Sequence, residues 1–205
     1  MELHINQALK WIELTNEKIQ ENKEYLTSLD QAIGDGDHGI NMARGFQAVI
    51  EKTSSSEYEA VSDLLKDVAM TLMSKVGGAS GPLYGTAFLK MSMATKGKDP
   101  VTQGDLAAAV AQALEGMKQR GKANQGEKTL IDVWTPVQGL LQDQENVQPD
   151  DLRETAKEAM ESTKDIMATK GRSAYLKERS IGHLDAGSVS SYFVFDSLAS
   201  AVEGE

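Results

Sequence analysis

Apolar residues return at three- and four-residue intervals along almost the whole chain. Ile5, Leu9, Ile12 and Ile19 recur at helical spacing, with Trp11 beside them, ahead of a glycine-rich acidic loop. The pattern predicts a helix restarting near Ile40 and running to about Lys52. A further helix is expected over 58–76, where Val61, Leu64, Leu65, Val68, Leu72 and Val76 form a stripe. The run GGASGP interrupts it, and 83–95 reads as helix again. Thr102 suits an N-cap for a helix over 106–118, with Asp105 in the first turn. A helix over 133–142 follows, with Pro136 expected in its first turn, where a missing N–H is tolerated. Pro149 and Asp150 introduce a polar-faced helix expected to end near Gly171, and a last apolar segment covers 188–202.

The stretch VSSYFVF, at 189–195, has the β-branched and aromatic content of a strand. It continues without a turn into DSLASAV, so helix is the better reading. Seven or eight helices result, and no segment alternates convincingly as a strand. Short loops favour antiparallel neighbours. No repeat or low-complexity linker divides the sequence, so the expectation is an all-α bundle forming one domain over 1–205.

Composition narrows the function. The 40% hydrophobic content supplies a sizeable core, and the scarcity of aromatics, 5%, favours helix packing over a sheet core. A net charge of -10 disfavours nucleic acid and anionic membranes as partners, because both reward clustered Lys and Arg. With no cysteine, thiolate metal sites and cysteine nucleophiles are excluded. The N-terminal stretch carries charge throughout and reads as neither a signal segment nor a membrane span, so no membrane insertion and a cytoplasmic setting are expected.

The chemistry concentrates in DQAIGDGDHGIN. Asp30, Asp35 and Asp37 offer three hard oxygen ligands on a short segment that Gly34, Gly36 and Gly39 allow to curl. Three carboxylates held together repel one another, and a divalent cation reverses that balance. Mg²⁺ suits such ligands because it also accepts waters and substrate phosphates. An EF-hand would need Glu where Asn41 stands, and zinc would need more than three histidines without thiolates. The alternative is a set of Asx turns before a helix start.

Further pieces lie downstream. GGASGPLYGT places small residues before a helix, whose backbone donors can face phosphate oxygens, with Ser80 or Thr86 adding a hydroxyl. Tight helix packing is the competing reading, and no Gly-Lys-Ser/Thr makes a P-loop. Arg172 and Arg179 offer anion contacts, or simply solvated charge. Asp185 and Gly187 form another turn before a helix, and Gly121 with Lys122 either line a cleft or end a helix. His183 and His4 carry no nucleophile signature.

Together, LDQAIGDGDHGINMARGF, SKVGGASGPLYGT, RGKANQGEKTLIDVW and GRSAYLKERSIGHLDAG resemble, in order and over most of the chain, the nucleotide-binding L subunit of phosphotransferase-system-dependent dihydroxyacetone kinases. The resemblance implies a single-domain barrel of eight antiparallel helices with a nucleotide site at one end. It implies that Asp30, Asp35 and Asp37 coordinate two Mg²⁺ ions joined to the diphosphate of a tightly bound ADP/ATP. His38 and Asn41 would lie beside the nucleotide, and Ala79 and Ser80 would receive its phosphates. Gly121, Leu130 and Arg172 would form other parts of the pocket, and Asp185, Ala186 and Gly187 would close the adenosine side. Leu130 stands where the family often has Met, and Ala186 where it often has Pro. The implied partners are a phosphohistidine-bearing phosphotransferase subunit, which recharges ADP, and a dihydroxyacetone-binding K subunit, which accepts the phosphoryl group. A nucleotide- or magnesium-binding regulatory protein is the other reading. A free-standing sugar kinase would need a substrate-binding half.

Overall fold

The apolar stripes become nine α-helices in the computed structural model, which describes residues 1–203. These are α1 (Ile5–Glu21), α2 (Lys23–Ile33), α3 (His38–Ser54), α4 (Val61–Lys75), α5 (Ser80–Ala94), α6 (Gln103–Gly121), α7 (Ile131–Asp143), α8 (Pro149–Ser162) and α9 (Ala186–Glu203). A kinked 3-10 segment, Arg172–Ser180, precedes α9. Two two-residue strands, β1 (Glu2–Leu3) and β2 (Val101–Thr102), pair antiparallel, Glu2 against Thr102 and Leu3 against Val101. Segments this short show no alternation to read.

The ninth helix arises at Asn22. Its Nδ2 donates to Lys18 O at 2.8 Å and its backbone N–H to the same oxygen at 3.0 Å, which ends α1 and lets α2 start afresh. The ring nevertheless has eight places. α1 packs on α3, each helix from α3 to α9 packs on the next, and α9 closes against α1, with α2 wedged on α3 and α9. One place is therefore filled by the broken pair α1 and α2.

The seam is locked from within. Trp11 Nε1 donates to Val194 O at 2.8 Å across α1 and α9, and the Trp11 ring lies 5.7 Å from that of Phe88. Trp134 meets Phe195 edge-on at 4.8 Å. Both tryptophans are fully buried, and truncating either to alanine would cost roughly 3–5 kcal/mol. VSSYFVF lies inside α9, whose small residues Ser188, Ser190, Ser191 and Ala199 let neighbouring helices close around it.

Several boundaries differ from the expectation, each for a local reason. Thr102 caps α6 as expected, exchanging bonds with Asp105 in a capping box. α5 starts at Ser80, three residues early, because Pro82 falls in its first turn and needs no N–H partner there. Gly81 allows this start, since a Cβ there would stand 2.2 Å from Val76 O. Pro136 is the sixth residue of α7 and lies beyond its first turn. α8 ends at Ser162, well before Gly171, because the Ser162 and Thr163 hydroxyls turn back onto Ala159 O and Met160 O, each at 2.7 Å. No described helix is long and apolar enough to cross a membrane.

Candidate functional site

An antiparallel ring places the starts of alternate helices at one end. Here the first residues or caps of α3, α5, α7 and α9, namely His38, Ser80, Leu130 and Ala186, line a single cleft of about 340 Å³. Each helix start carries partial positive charge and unpaired N–H groups, so the four together favour an anion. The acidic loop between α2 and α3 borders the same cleft.

Asp30 sits in the last turn of α2 and folds its carboxylate back over the loop. Its Oδ2 accepts the backbone N–H groups of Asp37 at 2.9 Å and His38 at 3.1 Å, so Asp30 caps the start of α3 from a distance. Gly34 makes room for this: a Cβ there would fall 2.0 Å from Asp30 Oδ1. One carboxylate oxygen each from Asp30, Asp35 and Asp37 lies within 4.8 Å of the other two. Across the cleft, Arg172 Nε pairs with Asp35 Oδ2 at 3.0 Å. A set of three hard oxygens, with Asp30 oriented by two backbone donors and Asp35 by Arg172, fits Mg²⁺.

His38 is not free to join as a ligand. Its Nδ1 meets Ser80 Oγ at 3.1 Å and its Nε2 meets Ser190 Oγ at 2.9 Å. Burial pulls its pKa down to about 4, against the opposing pull of Asp30 and Asp37, so the ring is neutral at physiological pH. Behind it, Ser190 bonds Tyr84 OH at 2.7 Å, and Tyr84 bonds Ser191, which accepts Trp134 Nε1–H at 3.1 Å. Burial raises the Tyr84 pKa, which keeps the phenol protonated as a hydrogen-bonding link. The imidazole is thus a bracket tying α3, α5 and α9 together at the mouth. Asn41 Oδ1, beside Gly77, accepts from Arg44 Nη2 at 2.7 Å.

On the far wall, Asp185 caps α9, its Oδ2 accepting Ser188 N at 2.7 Å, and burial pushes its pKa up to about 6. Asp132 braces the neighbouring turn by accepting Gly126 N at 2.5 Å and Thr129 N at 2.7 Å. Lys128 is buried there in the left-handed region, with φ 61°.

Of the thirteen residues that the resemblance assigns to metal and nucleotide, twelve line the cleft: Asp30, Asp35, Asp37, His38, Asn41, Ala79, Ser80, Leu130, Arg172, Asp185, Ala186 and Gly187. Gly121 does not. It ends α6, where a Cβ would meet Leu83 Cδ2 at 3.2 Å. Lys122 caps α6 from an exposed position, Thr86 Oγ1 turns back to Pro82 O, and Arg179 lines a different cavity. His183 is exposed and outside the cleft. Sequence reading missed Lys128, Thr129 and Lys170 in the lining and Ser190 behind it. Lys128 and Thr129 stand within the quoted segment RGKANQGEKT, but nothing in their spacing marks them.

Residues 32–200 match the family described as DAK2 domain. The chain is 50% identical over 191 residues to the PEP-dependent dihydroxyacetone kinase 1, ADP-binding subunit DhaL, of Listeria innocua, covering 93% of each chain. It is 46% identical over 200 residues to the PTS-dependent dihydroxyacetone kinase, ADP-binding subunit DhaL, of Lactococcus lactis, covering 98% of this chain and 99% of that one. In fold it is similar to the dihydroxyacetone kinase of C. freundii, with a TM-score of 0.75 at 23% identity, over 94% of this chain and 34% of that longer one. The chain belongs to the DAK2 domain family, among the ADP-binding subunits of PEP-dependent dihydroxyacetone kinases.

Proposed function

We propose that the chain is the ADP/ATP-carrying subunit of a dihydroxyacetone kinase, receiving a phosphoryl group from a phosphohistidine partner and delivering it to dihydroxyacetone on a separate K subunit. The products are dihydroxyacetone phosphate and ADP, which stays bound for the next cycle. One observation carries this reading: three carboxylates suited to a hard cation and four helix starts suited to an anion open on one cleft. A metal-bound diphosphate needs both. The names of the two similar subunits given above, both called ADP-binding, support it.

In this reading Asp30, Asp35 and Asp37 hold two Mg²⁺ ions, which offset phosphate charge and polarise the transferring group. Ala79 and Ser80 present the start of α5 to the phosphates, Arg172 adds a guanidinium, and His38 and Asn41 hold the wall beside them. Leu130, Asp185, Ala186 and Gly187 bound the nucleoside side, while Gly121 ends α6 outside the lining. His38 remains a neutral bracket and forms no covalent intermediate. The whole sequence, 1–205, acts as one nucleotide-carrying unit without membrane insertion, in the cytoplasm.

Reconstitution tests the reading. The chain, a K subunit and a phosphohistidine-bearing subunit are supplied with phosphoenolpyruvate and its phosphate-relay proteins, and dihydroxyacetone phosphate is measured. Formation that requires this chain, Mg²⁺ and all three aspartates is expected. A chain that binds the K subunit yet retains no ADP would instead be a regulator.

A further inference from the structure

Lys128 is the most thoroughly partnered cation in the cleft wall, 1% exposed. Its Nζ donates to Thr163 O at 2.7 Å, Ile166 O at 3.1 Å and Ser180 O at 2.7 Å. An ammonium has three hydrogens, so every donor is matched to a backbone carbonyl and none is left for a ligand. The acceptors belong to one excursion of the chain. Thr163 caps the end of α8 just before it, Ile166 lies near its start and Ser180 closes the 3-10 segment.

Residues 164–182 leave and rejoin the body at one point, where Gly182 N donates to Lys164 O at 2.7 Å. Only Ala168, Ser173 and Ser180 of this loop are buried, so apolar packing contributes little to its placement. Its polar ties are specific: Ala168 N donates to Ser180 Oγ at 2.9 Å and Thr169 N to Glu127 O at 3.3 Å. The loop carries Lys170, Arg172 and Ser173 into the cleft. On its other side, the neighbour of Lys128, Thr129, accepts Ser188 Oγ through its carbonyl at 2.8 Å, which connects the same strut to the start of α9.

We propose that Lys128 is a positioning residue for this cleft: by gathering Thr163, Ile166 and Ser180 on one ammonium, it sets where the 164–182 loop places Lys170 and Arg172, and so how long a bound nucleotide is retained. The inference rests on the ADP reading above for the identity of the ligand. Lys128 touches no reacting group. It acts through the loop, and neither a glutamine nor a methionine of similar length can satisfy three converging carbonyls.

Two measurements on Lys128→Met test it. The first is the release rate of ADP from the complex formed with MgCl₂, and the second is amide hydrogen exchange along the chain. Release faster by roughly 10- to 100-fold is expected, as for displaced positioning groups, with faster exchange confined to 163–182. Release at the wild-type rate from a folded variant overturns the proposal. An exchange increase spread evenly over the helices overturns it as well, since that marks a lysine with only a structural role.

Should the variant not fold, the wild-type protein still decides. Coupling is reciprocal, so ADP with MgCl₂ must slow acetylation of Lys128 by acetic anhydride. An unchanged labelling rate in protein that holds ADP overturns the proposal. Wild-type protein that holds no ADP at all overturns the nucleotide reading instead. Unchanged exchange of 163–182 in the methionine variant overturns this one whether or not ADP binds.

Discussion

Arg172 Nε lies 3.0 Å from Asp35 Oδ2, joining the loop after α8 to the acidic loop after α2. The arginine side chain is 71% exposed, so the pair itself is worth about 0–1 kcal/mol. A divalent ion at the aspartates competes with it directly, which leaves the guanidinium for the anion. Arg172→Ala is therefore expected to leave Mg²⁺ binding unchanged or slightly tighter, while weakening ADP roughly tenfold through loss of a charge-assisted contact. Titration calorimetry with each ligand separately checks the split.

The three aspartates are not equivalent. Asp30→Ala removes the acceptor for two backbone N–H groups and should cost roughly 1–3 kcal/mol in urea unfolding, besides weakening Mg²⁺-dependent ADP retention. Asp35→Ala and Asp37→Ala should lower retention by roughly 100-fold or more with stability unchanged, since neither carboxylate supports the loop in this way. Chelating Mg²⁺ from the intact protein should release ADP as Asp35→Ala or Asp37→Ala does. Equal unfolding curves for all three variants would contradict the special place of Asp30.

Gly34→Ala reaches the same site without touching a ligand. The added Cβ would stand 2.0 Å from Asp30 Oδ1, so the carboxylate must swing away from Asp37 and His38. Mg²⁺ affinity should fall roughly 10- to 100-fold, in the range seen when groups supporting metal ligands are lost, with helical circular dichroism preserved. Wild-type affinity in this variant would show that the loop tolerates another path.

Away from the cleft, Asp196 in α9 accepts Lys18 Nζ at 2.8 Å and Arg153 Nε at 2.9 Å, tying α9 to α1 and α8. Arg153 also reaches Asp150 and Glu203. The carboxylate is mostly buried, and both cations keep some solvent contact. Asp196→Ala should destabilise by about 1–3 kcal/mol, the range for hydrogen bonds to charged groups with partial rescue by water. ADP retention should be unaffected, which separates ring stability from site chemistry.

Asp185 gives the pH dependence a sign. Burial raises its folded pKa to about 6 from the ordinary value 3.8, so the folded chain holds this proton more tightly than the unfolded one. The stabilisation is complete below pH 3.8 and is lost as pH rises through 6. Asp185→Asn keeps an N-cap acceptor for Ser188 and removes the titration. Chemical denaturation of ligand-free protein should show the variant gaining on the wild type between pH 4 and 7, by as much as about 2 kcal/mol. A constant difference across that window would reject the assignment.

Local features of the sequence were legible because their physics is local. Helical spacing of apolar residues records which face is buried, and Thr102 with Asp105 records a cap within four residues. Asp30, Asp35 and Asp37 stand within eight residues, so their closeness was legible from spacing, which left a cation site and a set of Asx turns both open. Arg172, Asp185 and the start of α5 were legible as separate candidates, but only the resemblance joined them in one site, since nothing local says that they share a cleft.

What the sequence determined by itself was a set of amphipathic helices, their approximate order and one acidic loop. Tertiary structure decided that α1 and α2 share one place in the ring, that β1 meets β2, and that four helix starts face the aspartates. It also placed Gly121 outside the lining and made Lys128 a strut. The physical reason is the identity of the partners. Lys128 is held by three backbone carbonyls, and since every residue carries one, no letter of the sequence marks where they will converge.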